Sequence, residues 1–274
     1  MQSDERNTIG IVGGAGRMGL LFARYFRSKG YEVMISDIDS KKAEKEAKKN
    51  ELKAVTNEEL IQSCNIVLLS VPISKSEMVI KQLAPLARPE SLLGDITSLK
   101  ERTVKAMLKY AKPSVEVVGL HPLFGPTASI EGQNIVVILA RCKKYIPWIK
   151  SAFKKSNLIF STAKEHDRMM AIVQCLIHFT NIVTAMVMQK LKINPEKVKI
   201  FSTPICRERI ESIERILSQN PELYADIEME NKNSRRVIAA FIRASRKMQG
   251  IINRRNKSAF LKLYKELAKY FKVQ

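Results

Sequence analysis

The sequence predicts an α/β fold: a mostly parallel sheet in the first half, followed by an all-helical second half. Three observations predict it. Short β-branched runs alternate with longer charged, periodic stretches as far as about residue 160, the pattern of repeated strand–helix units. Gly10, Gly13, Gly14, Gly16 and Gly19 crowd the first turn, whereas no glycine occurs between Gly132 and Gly250. Beyond Thr162 the alternation stops, and long helical patterns break mainly at Asn194-Pro195, Thr203-Pro204 and Asn220-Pro221, where the residue before proline disfavours α geometry.

Taken in order, residues 9–12 form the first expected strand, and the glycine-rich turn leads into a helical stretch from Arg17 to Arg27. Residues 32–36, 65–71, 92–95, 115–119 and 135–139 read as further strands, with a short one near 158–161 to finish the sheet. Helical patterns between several of them give strand–helix–strand units and a mostly parallel sheet. The expected domains are therefore residues 1–162 and 163–274. In the second, residues 163–191 form a helix that is apolar on most faces. Its residues 169–188 imitate a membrane span, but Gln174, His178 and Asn181, spaced four and three apart, share one face. A buried helix of a soluble, non-membrane protein is expected instead. Since a helix apolar nearly all round is normally covered, a homodimer built on this half is the economical expectation, with a monomeric bundle around this helix as the alternative.

The 274 residues are 45% hydrophobic, enough for a sizeable core and incompatible with disorder as the main theme. Lys plus Arg number 47 against 27 Asp plus Glu, a formal charge of +20. The excess invites a nucleic-acid reading, but it is spread along the chain and not gathered in an arm. A solvated surface or a steering field for an anionic small molecule explains it equally well, and no nucleic-acid partner is expected. Cys64, Cys142, Cys175 and Cys206 form no CxxC pair, and His121, His166 and His178 form no HExxH motif, so no metal site is expected. The polar start, with no apolar run before Thr8, points to the cytoplasm.

The turn after the first strand contains GxGxxG as Gly14, Gly16 and Gly19, in the strand–turn–helix context the motif requires. Gly14 is expected to permit the tight turn, Gly16 to let the backbone approach a pyrophosphate, and Gly19 to let helix and strand pack closely. Ala15, Arg17 and Met18 complete the loop, and Val71, at the end of a neighbouring strand, joins the expected cofactor-binding set. Asp37 lies 23 residues after Gly14, close to the spacing of about 20 at which an acid accepts hydrogen bonds from an adenosine ribose. This Rossmann-like pattern predicts NAD, while Lys41 and Lys42 leave NADP open. The alternative is an ordinary strand–turn–helix with Asp37 as a helix cap.

Two further segments, Asp95-Ile-Thr-Ser98 and His121-Pro-Leu-Phe-Gly-Pro126-Thr127, follow apolar strands. In an open α/β sheet ligands bind at the carboxyl ends of strands, so Ser98 and His121 are expected to face a nicotinamide ring. A buried imidazole bonded to backbone is the plainer reading of His121. The stretch from Arg207 to Arg215 reads as a helix with Arg207, Glu211 and Arg215 on one face. It could be a carboxylate clamp or a solvated ladder of i,i+4 ion pairs.

Taken together, Gly13–Gly19, DxTS at Asp95–Ser98, HPxFGP at His121–Pro126, EHD at Glu165–Asp167, His178-Phe179, Ser202-Thr-Pro-Ile205 and Glu222-Leu-Tyr-Ala-Asp226 resemble prephenate dehydrogenases of tyrosine biosynthesis, in the same order over most of the chain. The resemblance implies a Rossmann-like domain followed by a helical domain that dimerises. It also implies oxidative decarboxylation of prephenate to 4-hydroxyphenylpyruvate with NAD(P)⁺ as hydride acceptor. His121 would take the proton of the ring hydroxyl, and Ser98 would bond to that hydroxyl and to His121. Arg215 would bind the ring carboxylate with Arg207 nearby, His178 would point to the pyruvyl side chain, and Thr127 would belong to the substrate-binding set. His166 is expected to be supporting. A fused chorismate mutase or regulatory domain is not expected. Arogenate dehydrogenase is the near alternative, a β-hydroxyacid-type dehydrogenase a further one, and a non-catalytic basic nucleotide- or nucleic-acid-binding protein a distant one.

Overall fold

The computed structural model describes residues 8–273. One eight-stranded sheet runs in the order β3-β2-β1-β4-β5-β6-β7-β8, with β1 Thr8–Val12, β2 Glu32–Ser36, β3 Lys53–Ala54, β4 Ile66–Leu69, β5 Leu92–Asp95, β6 Glu116–Pro122, β7 Asn134–Arg141 and β8 Asn157–Phe160. All pairings are parallel except β6 with β7. The expected strands are all present, and the two-residue β3 is an addition too short to show a period. The sixth strand ends later than expected: it runs through His121, which pairs with Val136 of β7 and so sits on a strand and not in the turn after it.

The central strands bury both faces, so they are apolar without alternation. On one side Ile9 and Ile11 meet Phe22 and Phe26 of helix α1 (Arg17–Ser28) and Phe153, with Tyr25 and Trp148 in edge and stacked ring contacts. On the other, Val67 and Leu69 pack with Leu60, Ile80 and Met107. The strand order reverses where β1 pairs with β2 on one side and β4 on the other, the place at which doubly wound sheets open a crevice.

The described residues divide into two compact units, the first reaching Met170 and including Asn220–Asn231, the second comprising Ala171–Gln219 and the residues from Lys232 onward. The division thus falls later than the expected 162/163, and one segment returns. The reason is visible in the bonds. Asp167 accepts from the backbone N–H groups of Lys100 (2.8 Å) and Glu101 (2.9 Å), capping helix α5 (Glu101–Tyr110), and Asn231 Nδ2 donates to the Asp167 carbonyl at 2.9 Å. Asp226 accepts from Ser74 N (3.0 Å) at the start of α4 (Ile73–Leu83). Both pieces satisfy helix termini of the first unit.

The long helix runs from Ala163 to Lys190; its part in the second unit is a π-helical stretch at Ala171–Leu176 followed by α8 (Ile177–Lys190). The Asn194-Pro195 and Thr203-Pro204 pairs end one helix and start the next: Asn194 caps α9 (Pro195–Phe201) and Thr203 caps α10 (Pro204–Leu217), each with proline at the first helical position, and Asn220 does the same for α11 (Pro221–Glu230) in the first unit. The long helix does not occupy the centre of a single-chain bundle. Of its most apolar 18-residue window only 22% is buried, and Ile172, Val173, Met186 and Val187 are exposed. Asn181 is the buried residue of α8, donating to Ser212 of α10 at 3.2 Å.

Candidate active site

The glycine turn is built by backbone. Gly13 N and Gly14 N both donate to the Ser36 carbonyl (2.8 and 2.9 Å), and Gly16 N donates to the Gly13 carbonyl (3.1 Å). The residue that requires glycine for its conformation is Gly13, at φ +75°, where a Cβ would also lie 2.4 Å from the Ser70 carbonyl oxygen, with Val71 alongside. This corrects the assignment of the tight turn to Gly14. Gly14 is instead needed for close approach to β2, since its Cβ would lie 2.6 Å from that of Ile35. Gly19 packs as expected, its Cβ position 2.4 Å from Gly13 O, and Gly16 has that same oxygen as its one near neighbour, at 3.1 Å.

Helix α1 starts at Arg17 with Gly16 as N-cap, no side-chain cap and no acid in its first turn. The N–H groups of Arg17, Met18 and Gly19 precede the first intrahelical bond, so an uncapped, positively polarised terminus faces the end of β1. Asp37, half-buried at the end of β2, accepts from Ala15 N at 3.1 Å, which ties the second strand to the loop. It is not a helix cap: Asp39 caps α2 (Ser40–Asn50), accepting from Lys42 N at 3.0 Å. Beside it Ile38 is fully exposed, an apolar residue the strand pattern alone does not single out. Together these features fit a dinucleotide: free N–H groups for the pyrophosphate, a carboxylate for the ribose and an apolar surface for the adenine.

At the neighbouring strand ends, Asp95 of β5 pairs in register with Gly119 of β6, which places the loop carrying Ser98 beside His121. The anchor is Lys100, fully buried, whose Nζ bonds to Asp95 Oδ2 and donates to the Leu120 carbonyl at 2.8 Å. Burial pulls this ammonium below its usual range, opposed by the Asp95 carboxylate. Thr97 Oγ1 also donates to Asp95 Oδ2. One buried ion pair thereby fixes the loop and the backbone immediately before His121.

His121 is buried, and its Nδ1 lies 2.8 Å from His166 Nε2, while His166 Nδ1 lies 2.7 Å from Asp167 Oδ1. Burial, then the neighbouring His166 and Lys100, hold the His121 imidazole well below its ordinary pKa, so it is neutral at neutral pH. The plainer reading, an imidazole bonded to backbone, is not what the structure contains. Nor is the expected Ser98–His121 bond: the Nδ1 of His121 is engaged by His166, and the half-buried Ser98 hydroxyl makes no bond among the described residues. His166, expected to be supporting, is thus in direct contact with His121, and Asp167 and Lys100 join it. The EHD triplet and the lysine five residues after Asp95 are the signals in the sequence for this cluster.

Thr127 is exposed in the segment between β6 and β7. The remaining expected residues belong to the second unit. His178 is half-buried on α8, and Arg207 and Arg215 are exposed on α10. Arg207 donates to the Lys199 carbonyl at 3.2 Å, and neither Glu211 nor Arg215 is ion-paired among the described residues, so the solvated ladder does not form. Glu214 pairs with Lys199 instead, at 2.6 Å.

Fold and site define a dinucleotide-binding protein of the doubly wound class with a helical second unit. Family models agree in both parts: residues 22–144 match the nucleotide-binding domain of prephenate dehydrogenase and residues 162–267 its dimerization domain. The chain is 35% identical over 271 residues to a Methanocaldococcus jannaschii protein described as "Probable arogenate/prephenate dehydrogenase", covering 96% of this chain and 61% of that one. It is 30% identical to the T-protein of Enterobacter agglomerans, covering 97% of this chain and 68% of that protein. The chain therefore spans about three fifths to two thirds of the length of these relatives. The fold is shared with A. aeolicus prephenate dehydrogenase solved with hydroxyphenyl propionate and NAD⁺ (TM-score 0.76, 22% identity, 98% of both chains). Synechocystis arogenate dehydrogenase also shares it (TM-score 0.74, 16% identity, 97% of this chain and 99% of that one). The chain belongs to the prephenate dehydrogenase family.

Proposed function

We propose that this chain catalyses the oxidative decarboxylation of prephenate to 4-hydroxyphenylpyruvate, with NAD⁺ as hydride acceptor and NADP⁺ as the alternative one. The observation that carries the reading is a buried imidazole, held neutral by that burial, at the carboxyl edge of the sheet, three strands from the dinucleotide turn, in a chain of this family. Gly14, Ala15, Gly16, Arg17, Met18, Gly19, Val71 and Asp37 would hold the cofactor, which when bound supplies the hydride acceptor. The cofactor fits the open face at Gly16 and the uncapped start of α1.

His121 accepts the hydroxyl proton as hydride leaves the same ring carbon, and the ketone character that develops there draws out CO₂ and leaves an aromatic ring. Little acid–base machinery is needed beyond positioning and one base, which is worth roughly 10²–10⁴ in rate. The Ser98 hydroxyl, without a partner among the described residues, orients the substrate hydroxyl, with Thr127 on the adjoining segment. Arg215 receives the ring carboxylate, with Arg207 near it in sequence and His178 for the pyruvyl group; a planar guanidinium with no partner among the described residues suits that role. A second copy of the chain covers the apolar faces of the second unit, the match of residues 162–267 to a dimerization domain supporting this reading. The cytoplasm is the compartment we propose, where thiols such as Cys64 and Cys142 persist; burial pushes both up to about 12.

The test is the absorbance of reduced nicotinamide with prephenate or arogenate, each with NAD⁺ and NADP⁺. Turnover of prephenate that falls at least about 10²-fold in His121→Asn supports the reading. Turnover confined to arogenate assigns the near alternative, and folded protein that binds NAD⁺ yet oxidises neither would overturn it.

A further inference from the structure

We propose that His166 and Asp167 are positioning residues that preset the tautomer of His121, so that its Nε2 lone pair is already presented to the substrate hydroxyl when substrate arrives. The inference rests on His121 being the base in the reaction proposed above.

The proton positions follow from the donors and acceptors in order. Asp167 accepts from two backbone N–H groups at the start of α5, and an ionised carboxylate has no proton to give. The 2.7 Å contact from His166 Nδ1 to Asp167 Oδ1 therefore needs its proton on His166 Nδ1. In a neutral imidazole the other nitrogen is then a lone pair, so His166 Nε2 is an acceptor. His121 Nδ1, 2.8 Å from it, must be the donor, and the lone pair of His121 falls on Nε2. Any other arrangement of neutral rings sets two lone pairs against each other at one of the two contacts. Both rings are buried, so water cannot substitute for the missing donor.

The same chain serves the cation formed by the reaction. Once the substrate proton reaches His121 Nε2, the new imidazolium is two hydrogen bonds from the Asp167 carboxylate, in surroundings where charge interactions are stronger than in water. Asn231, which donates to the Asp167 backbone carbonyl, and the α5 terminus hold the carboxylate from behind. Sequence adjacency of His166 and Asp167 in the EHD triplet makes the pair a single rigid unit on α7 (Ala163–Met170).

The chain has three histidines, so the ring nitrogens of ¹⁵N-histidine-labelled enzyme give three assignable systems by two-bond proton–nitrogen correlation, with His178→Asn and His166→Asn fixing the assignment. Expected in wild-type enzyme at neutral pH is the Nδ1–H form for both His121 and His166. Asp167→Asn, whose amide can donate to His166 Nδ1, should reverse both rings and lower kcat by roughly 10²-fold or more at little change in KM, as a wrong tautomer does in hydrolytic triads. His166→Asn should release His121 from the Nδ1–H form and lower kcat by about 10–100-fold, with urea midpoints reporting whether each variant is folded. A wild-type His121 carrying its proton on Nε2, or folded His166→Asn turning over within about twofold of wild type, would overturn the proposal. Failure is separable from that of the reaction reading: an inactive wild type with the expected tautomers sinks the reaction, while an active one with Nε2–H sinks only the relay.

Discussion

Strand β1 and helix α8 are both runs of apolar side chains, yet every residue of β1 after Thr8 is buried, whereas α8 buries Asn181 alone. The same contrast holds through the two units. Around the sheet, helix starts are closed by side chains from distant segments, and a buried lysine has its aspartate. In the second unit, α9 and α13 (Lys257–Tyr270) bury no residue, and Phe201, Tyr270 and Phe271 stand exposed. Exposed apolar side chains of this size are what an interaction site would offer. The difference teaches that the sheet unit covers its apolar side chains within one chain, whereas the helical unit leaves many of its own exposed.

The largest expected effect breaks the sheet unit. Gly13→Ala places a Cβ 2.4 Å from the Ser70 carbonyl at φ +75° and should cost more than about 3 kcal/mol in urea unfolding, with loss of dinucleotide binding. Gly132→Ala has a similar φ of +82° but open space around it, and should cost only about 1 kcal/mol. Equal costs would mean that backbone conformation, not the closeness of β1 to β4, sets the glycine requirement.

Next comes the helical unit. Val173→Glu sits on a surface exposed within one chain, where a substitution normally changes stability by no more than about 0.5 kcal/mol. Buried against a second copy it should cost about 2–4 kcal/mol and yield a monomer by light scattering, with a melting temperature that no longer rises with protein concentration. A variant that melts like wild type at every concentration would show that this face is solvent-exposed in the working protein.

Arg215→Ala tests the site without touching either core. Its guanidinium is exposed and has no partner among the described residues, so stability should not change, while a lost charge-assisted bond of about 1.5–3 kcal/mol raises KM for prephenate by roughly 10–100-fold. A fall in melting temperature without a change in KM would return Arg215 to an ordinary surface role.

Much of this was legible in the sequence because local rules govern it. The strand runs, the glycine turn, Asp37 and the proline breaks each follow from a few adjacent residues, and the breaks proved to be cap-and-proline helix starts. What sequence left unread is non-local. Gly13 took the turn from Gly14 because the constraint comes from Ser70, just past the end of β4, and β3 is too short for any period. The π-helical turn at Ala171–Leu176 shifts the phase of the polar stripe, so Gln174 and His178 could not be placed by a 3.6-residue rule. Lys100 and Asp167 gain their meaning only when residues 67 positions apart meet.

The smallest expected effect concerns pH and turns on the first unit, which holds the buried His121. Burial, His166 and Lys100 hold His121 well below the ordinary 6.5. Above that pH the ring is neutral in the folded and the unfolded chain alike, so it contributes nothing to the pH dependence. As pH falls through 6.5 the unfolded chain takes up a proton that the folded one refuses, so unfolding becomes easier, by at most about 1.4 kcal/mol per pH unit. His121→Asn removes this proton from the balance. The wild-type stability should therefore fall more steeply with acidification than that of the variant, in urea titrations carried from neutral pH to below 6.5. The acid limb of kcat/KM should also lie below 6.5, since His121 stays a competent base there. Parallel stability curves, or an acid limb above 6.5, would mean that His121 is not the buried neutral ring on which the sheet edge depends.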